Sequence, residues 1–329
     1  MTEITSGMTN NNRKLLTMSL INFFDEIRFW GGKRNKLLSK IYFYAVCNRI
    51  TDILANIILP IYFNCTKKNP QYSLNTNNDK ENKIIVSLTS FPPRFPKLHL
   101  VIECILRQTI KPDAVILYLT EEQVGSIEKL PKKLIELQKR GLQIKLCPDK
   151  IRSHTKYFYA MKEHPEDIII TIDDDLFYRT DLIERHIKAH NKYPKAIIAN
   201  WVKEILPTTN KYNEWPDGTE PKLSNRFLLL GVSSVLYPPK SLHEEVFNKD
   251  IIIEQCLTAD DVWLSCMALL KETPIYFTGY KYNHLPVRIR NNETLISVNR
   301  ERNQVCVDNL NNYYGKKLGI RPFIDLPND

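Results

Sequence analysis

A chain of 329 residues with 43% hydrophobic and 25% charged side chains can bury a sizeable core, which excludes a disordered or low-complexity protein. Its seven cysteines are odd in number and scattered, with no CxxC pair, which excludes a disulfide framework and a thiolate metal centre. The net charge of +9 is uneven: residues 1–70 hold ten Lys/Arg against four Asp/Glu and so carry +6 of it. A basic segment of this kind suits anionic lipid or nucleic acid, and equally a solvated surface.

Residues 1–12 are polar and lack the compact apolar stretch of a secretory leader. The thiols sit in apolar runs, as buried cysteines do, which suits a reducing compartment. A cytoplasmic protein is therefore expected, with a possible peripheral place at the inner face of the cytoplasmic membrane. Helical spacing follows. Leu20, Phe23, Phe24, Ile27 and Trp30 mark a first helix stopped by Gly31-Gly32, and Leu37, Ile41, Tyr44 and Ala45 mark a second. Ile50–Ile61 reads as a third. The apolar run there, Ile53–Phe63, is broken by Asn56 and Pro60 and is too short to span a bilayer. The aromatics Phe23, Phe24, Phe29 and Trp30 beside basic residues suit a helix lying in a membrane interface, or helices packed on the main domain. Residues 66–83 are polar and read as a linker.

From Ile84 the pattern changes. Strands are expected at Ile84–Leu88, Ala114–Leu119, Leu142–Leu146 and Ile168–Ile172. Between them, helices are expected at Leu98–Gln108, at Leu130–Arg140 closed by Gly141, and up to Glu163 from a cap at Ser153 or Thr155. This alternation predicts an α/β fold with a mostly parallel sheet flanked by helices. Further on come a helix at Asp181–Ala189, a strand at Ala196–Trp201 and a long loop over residues 203–225. Short strands at Phe227–Gly231 and Ser234–Tyr237, a helix at Ala259–Leu270 and a strand at Ile275–Thr278 complete the domain. The chain thus divides into an N-terminal helical extension and linker (1–80), an α/β domain (81–290) and a polar tail (291–329).

The chemistry concentrates where Ile168–Ile172 runs into Asp173-Asp174-Asp175. Three adjacent carboxylates cannot stay buried unpaired, so they must emerge at the strand's C-terminal end, where open α/β sheets bind ligands. Carboxylate oxygens held there suit a hard divalent cation bridging phosphates, although a solvated acidic turn has the same sequence. No GxGxxG or GxxxxGK[ST] occurs, which argues against a dinucleotide enzyme or a P-loop NTPase. Asp260 and Asp261 open the helix after Thr258, a plausible cap. Carboxylates at a helix start suit the dipole, and one facing a cleft can also accept a proton from a sugar hydroxyl. Lys156, at another helix start, is placed to neutralise phosphate or to face water. His284 lies just beyond the last strand.

Together, Ile84–Ser90, Asp173-Asp174-Asp175, Leu230–Tyr237, Ala259-Asp260-Asp261 and His284 resemble, in that order, a GT-A glycosyltransferase. The details look like bacterial family-2-type enzymes of lipopolysaccharide or capsule synthesis. The resemblance covers roughly residues 84–290. It implies an inverting transfer of sugar from a nucleotide-sugar donor to a hydroxyl of a glycan or lipid-linked glycan, with Mn²⁺ or Mg²⁺ as cofactor and no nucleic acid as partner. It implies that Asp173 lies nearer the ribose or a metal-bound water, that Asp175 ligates the metal and that His284 completes the shell. Asp261 matches the catalytic base, with Asp260 where the family has Glu. Thr89, Ser90, Arg94, Lys156, Asp174, Gly231 and Ser233 are the further expected substrate-binding residues. The alternatives are a sugar nucleotidyltransferase, which would need a glycine-rich basic loop after the first strand, and a catalytically silent glycan-binding scaffold.

Overall fold

The computed structural model describes residues 19–32, 43–74, 81–280, 283–288 and 296–325. Leu37 and Ile41 of the second expected helix, residues 75–80 of the linker and the side chains of Phe29 and Trp30 lie outside what it describes. Uninterrupted apolar runs become strands covered on both faces. These are β1 (Ile84–Thr89), β2 (Ala114–Thr120), β3 (Leu142–Cys147) and β4 (Ile168–Thr171), each within a residue or so of its expected bounds. The later strands are short: β5 (Ile197–Ala199), β6 (Val202–Glu204), β7 (Lys222–Ser224), β8 (Phe227–Leu229), β9 (Val235–Tyr237) and β10 (Ile275–Phe277). Eight strands form one sheet in the order β3-β2-β1-β4-β9-β5-β10-β7, and β6 pairs with β8 in a small second sheet. The large sheet is mostly parallel, as expected. Only β9, between β4 and β5, and β7, at the edge on β10, run against the rest.

The register positions the site. Ser87 of β1 pairs with Thr171 of β4. The residues that follow, Ser90 on one strand and Asp173 and Asp174 on the other, therefore leave the sheet at the same C-terminal edge. Helices α3 (Phe95–Leu106), α4 (Lys132–Glu136), α5 (Thr155–Glu163), α6 (Leu182–Lys192), α7 (Lys249–Gln255) and α8 (Asp260–Leu270) flank the sheet. Two large clusters of buried apolar side chains run through the molecule, one around β1–β4 and α3, the other around α8 and the short strands. Gly141 follows α4 and a 3₁₀ turn (Leu137–Arg140) at φ +102°, the left-handed stop its position predicts. A Cβ there would meet Leu74 Cβ at 2.7 Å.

Several expectations are corrected. The second and third N-terminal helices are one: after α1 (Leu20–Gly32), α2 runs unbroken over Phe43–Thr66, with Tyr44 and Ala45 in its first turn and Pro60 inside it. No breaker separates Ala45 from Ile50, and Pro60 forfeits only one backbone bond. The caps foreseen at Ser153 or Thr155 and at Thr258 do not form. The N-caps of α5 and α8 are His154 and Ala259, without side-chain hydrogen bonds. Residues 203–225 are not a plain loop, because they carry most of β6, a turn at Tyr212–Glu214, the buried Trp215 and β7. Three-residue strands are too short to show a period of two. The polar tail contains α9 (Ile296–Leu318), whose Cys306, Val307, Leu310 and Tyr314 enter the second core cluster. One narrow apolar stripe in an otherwise polar helix gave little sequence signal.

Candidate active site

Lys156 stands at the centre. It lies in the first turn of α5, where the buried Ser87 hydroxyl of β1 donates to its carbonyl. Its ammonium donates to Asp173 Oδ1 at 2.8 Å and lies 3.0 Å from Asp260 Oδ2. One cation therefore joins the acidic strand end to the acidic helix start. The side chain is almost wholly buried, which excludes a solvated surface lysine. Burial alone would strip its charge, but Asp173, Asp260 and Asp261 together hold its pKa well above the usual lysine value. Its nearest charges are protein carboxylates, so its first task is to neutralise them.

The triad divides its partners. Asp174 is buried; it accepts from Ser90 Oγ at 2.5 Å and from the Arg94 guanidinium. Arg94 also reaches Asp175, with Nη2 3.0 Å from Oδ2, and its guanidinium lies 5.1 Å from the Phe91 ring centre. Asp173 and Asp175 are the open members, their side chains 28% and 36% exposed. Crowding against protein, opposed by Arg94 and reinforced by Asp173 and Asp174, raises the pKa of Asp175. The backbone N–H of Asp173 donates to Tyr178 Oη at 2.8 Å, which fixes where the strand end turns.

Asp260 and Asp261 sit in one turn but in different surroundings. Burial would raise Asp260, yet Lys156 holds it below the usual carboxylate range. Burial and then the neighbouring Asp260 push Asp261 up, as expected where two carboxylates compete for one cation. Asp261 Oδ1 accepts the Gly231 N–H at 2.9 Å. Gly231 lies in the turn Gly231–Ser233, and a Cβ on it would fall 2.7 Å from Asp261 Oδ1 and 3.4 Å from Lys156 Nζ. Gly231→Ala must therefore displace the Asp261 carboxylate. We expect a loss of about 1–3 kcal/mol, as for other overpacked sites, and a change in any chemistry Asp261 performs. A thermal melt and a transfer assay indistinguishable from wild type would overturn this packing argument.

Ser233 bonds to His284 Nε2, whose ring stacks on Trp201 at 4.8 Å between centres. Ser234 (φ +76°) and His284 (φ +48°) both adopt the left-handed backbone, an outlay that clusters at functional sites. Burial, then Arg28, lowers the His284 pKa to about 4, so its imidazole is neutral. Behind it Asn200 donates to the Ser233 carbonyl and contacts the buried His186, which also reaches Ser234 Oγ at 3.1 Å. Trp201, Ser233 and His284, with Asp217 and Gly218, line a cavity of about 160 Å³. Thr89 is turned away, because its hydroxyl donates to the Tyr118 carbonyl at 2.8 Å. Sequence reasoning missed Trp201 and Tyr178. Each is an ordinary aromatic in sequence, and only the fold brings it to the site.

The donor set suits a hard divalent cation at Asp173 and Asp175, two partly open oxygen donors two residues apart. His284 does not join them here, since its Nε2 faces Ser233. Among the described residues no three His, Cys, Asp or Glu side chains converge as a ready-made metal site.

No family model and no curated protein matches the chain. Solved structures that resemble it in part include a mannosyltransferase from Pyrobaculum calidifontis in complex with GDP-Man and Mn²⁺ (11% identity, 84% of this chain and 77% of that one, TM-score 0.43). CMP:2-keto-3-deoxy-manno-octonic acid synthetase complexed with CTP is similar at 11% identity over 68% of this chain and 98% of that one, with TM-score 0.39. Mouse xyloside xylosyltransferase 1 in its apo form is similar at 15% identity over 74% and 84%, with TM-score 0.29. None of the three bears on the chemistry, which rests on the side chains described above.

Proposed function

We propose that the chain is a glycosyltransferase that moves a sugar from a nucleotide-sugar donor to a hydroxyl of a glycan, with inversion. The observation that supports it is the convergence on Lys156 of Asp173 from the sheet edge and Asp260 from the start of α8. One ammonium thus links carboxylates of two elements near the C-terminal end of a mostly parallel sheet, the usual ligand side, which supports a reading in which the two sets act on one substrate. Asp173 and Asp175 would hold Mn²⁺ or Mg²⁺ there, and when bound the cation supplies charge neutralisation on a leaving diphosphate. Arg94 and Ser90 hold Asp174 and so keep the strand end in place. Asp261, with its raised proton affinity, would take the proton of the attacking hydroxyl. With Asp261 as the base and the acceptor hydroxyl as the nucleophile, the reading is a single displacement with inversion, by the logic known from inverting glycosidases. The finer reading, lipopolysaccharide or capsule synthesis on a lipid-linked acceptor, rests on the sequence resemblance alone.

The test separates binding from fold. Asp175→Ala should abolish Mn²⁺-dependent binding of a nucleoside diphosphate in calorimetry, and turnover with it. Its melting temperature should barely move, because the side chain is partly open and its ion pair with Arg94 is partly exposed to solvent. Undiminished Mn²⁺-dependent binding would remove Asp175 from the site. A panel of nucleotide sugars hydrolysed in the presence of Mn²⁺ would distinguish the transferase from a silent scaffold, which hydrolyses none.

A further inference from the structure

We propose that α2 lies flat in the interface of an anionic lipid membrane, with the rest of the chain on its aqueous side. The inference concerns a surface and stands apart from the transfer reading. Eight apolar residues of α2, Phe43, Val46, Ile50, Ile53, Leu54, Ile57, Ile58 and Ile61, are 37–60% exposed. At about 100° per residue they fall within roughly 140° of the helix circumference, a continuous stripe along most of its length. An exposed stripe of this extent is unusual for a surface that meets only water.

The opposite face is fastened to the protein. Thr51, Asp52, Ala55, Leu59 and Phe63 are buried. Asp52 pairs with Arg28 of α1 at 2.7 Å. Asn56 donates to the Pro286 carbonyl at 2.8 Å and accepts the Arg288 N–H at 2.8 Å. The run Ile53–Phe63 read as too short to span a bilayer, but the whole helix, Phe43–Thr66, is long and apolar enough to cross one by length and composition. Crossing would take Asp52 and Asn56 away from these partners into hydrocarbon, which is costly. Lying in the interface keeps them and buries the stripe.

Charge selects lipid over a protein partner. The only charged residues in α2 are Arg49, which is exposed, and Asp52, which is buried and paired. The exposed face thus bears no acid. At its C-terminal end Lys67 and Lys68 are exposed. Lys67 lines a cleft with Lys133 and Lys139, beside Glu136 and the paired Arg140 and Glu103. An apolar stripe ending in a basic rim is the pattern that binds anionic headgroups. Asp25, Glu26 and Asp52, the acids of α1 and α2, are all held by arginines.

The experiment is flotation of the full chain with vesicles of phosphatidylcholine alone and of phosphatidylcholine with phosphatidylserine. We expect binding to the anionic vesicles, weakened at high salt. Ile53→Ser/Ile57→Ser/Ile61→Ser alters only exposed positions, so its melt should match wild type, and it should lower the partition at least tenfold. Lys67→Glu/Lys68→Glu should lower binding to anionic vesicles without changing any binding to neutral ones. Three results would each overturn the proposal: no flotation with anionic vesicles at low salt, flotation undiminished in the triple variant, or a dimer that the triple variant converts to monomer without vesicle binding. The last would mean that a second copy covers the stripe.

Discussion

Lys156→Met is expected to be among the most damaging single changes in the chain. The substitution nearly keeps the volume and removes only the charge. Asp173 and Asp260 then lose the ammonium at 2.8 and 3.0 Å, and Asp261 loses a positive charge that holds its pKa down. Breaking a buried pair from one side costs about 3–5 kcal/mol, because the abandoned charge stays buried. For one site that is a large share of a typical domain's stability. A thermal melt at neutral pH should show it directly. The loss should be smaller at low pH. Without Lys156, burial would leave Asp260 and Asp261 with folded pKa values above their unfolded ones. The folded state then binds more protons than the unfolded, so stability rises as pH falls toward the ordinary carboxylate range. Adding Asp260→Asn to Lys156→Met should recover part of the loss, since one uncompensated charge disappears. A lysine that served only a bound diphosphate would behave differently: Lys156→Met would melt normally and weaken donor binding alone. That result would overturn the neutralising role.

Lys156 also marks the limit of what the sequence could tell. That a lysine opens α5 is legible, and so is the acidic strand end after β4, because apolar runs and carboxylate triplets are local patterns. The separation of seventeen positions between Lys156 and Asp173 is also legible. That Asp260 closes the same ion-pair network is not, since nothing local records which strand end faces which helix start. The expected caps failed for a related reason. Thr258 has the right residue type, but the fold turns it toward Cys306 Sγ at 3.8 Å and leaves Ala259 at the cap. Gly231 was expected among the substrate-binding residues; what only the fold reveals is that its missing side chain leaves room for Asp261. That β1 to β4 run parallel could be argued from alternation, although their order in the sheet could not. The reversal at β9 could not, because three apolar residues carry no direction. The exposed stripe of α2 was half legible: its apolar period can be read, but which face is covered depends on Asp52 meeting Arg28 of α1 and Asn56 meeting Arg288 far along the chain.

Asp261→Asn is expected to lower kcat by roughly 10²–10⁴, the usual contribution of a positioned base. The amide keeps the size and can still accept the Gly231 N–H, so the turn at Gly231–Ser233 should hold and the melt should change little. Donor affinity should survive, because Asp173, Asp175 and Arg94 are untouched. Asp260→Asn should show the reverse balance. It weakens the hold on Lys156, so the melting temperature should fall, while transfer by the folded fraction should drop less. The surroundings give this order. Asp260 is buried and held in its charged form by Lys156, which makes it a poor proton acceptor. Burial and the neighbouring Asp260 push Asp261 up without so close a hold from Lys156, which makes it the stronger base of the two. Stopped-flow transfer rates, donor affinities and melts on both variants decide the matter. If Asp260→Asn stops transfer while Asp261→Asn retains it, the two roles are exchanged. If both variants transfer at the wild-type rate, the start of α8 serves only to anchor Lys156, and the proton must leave the acceptor by another route.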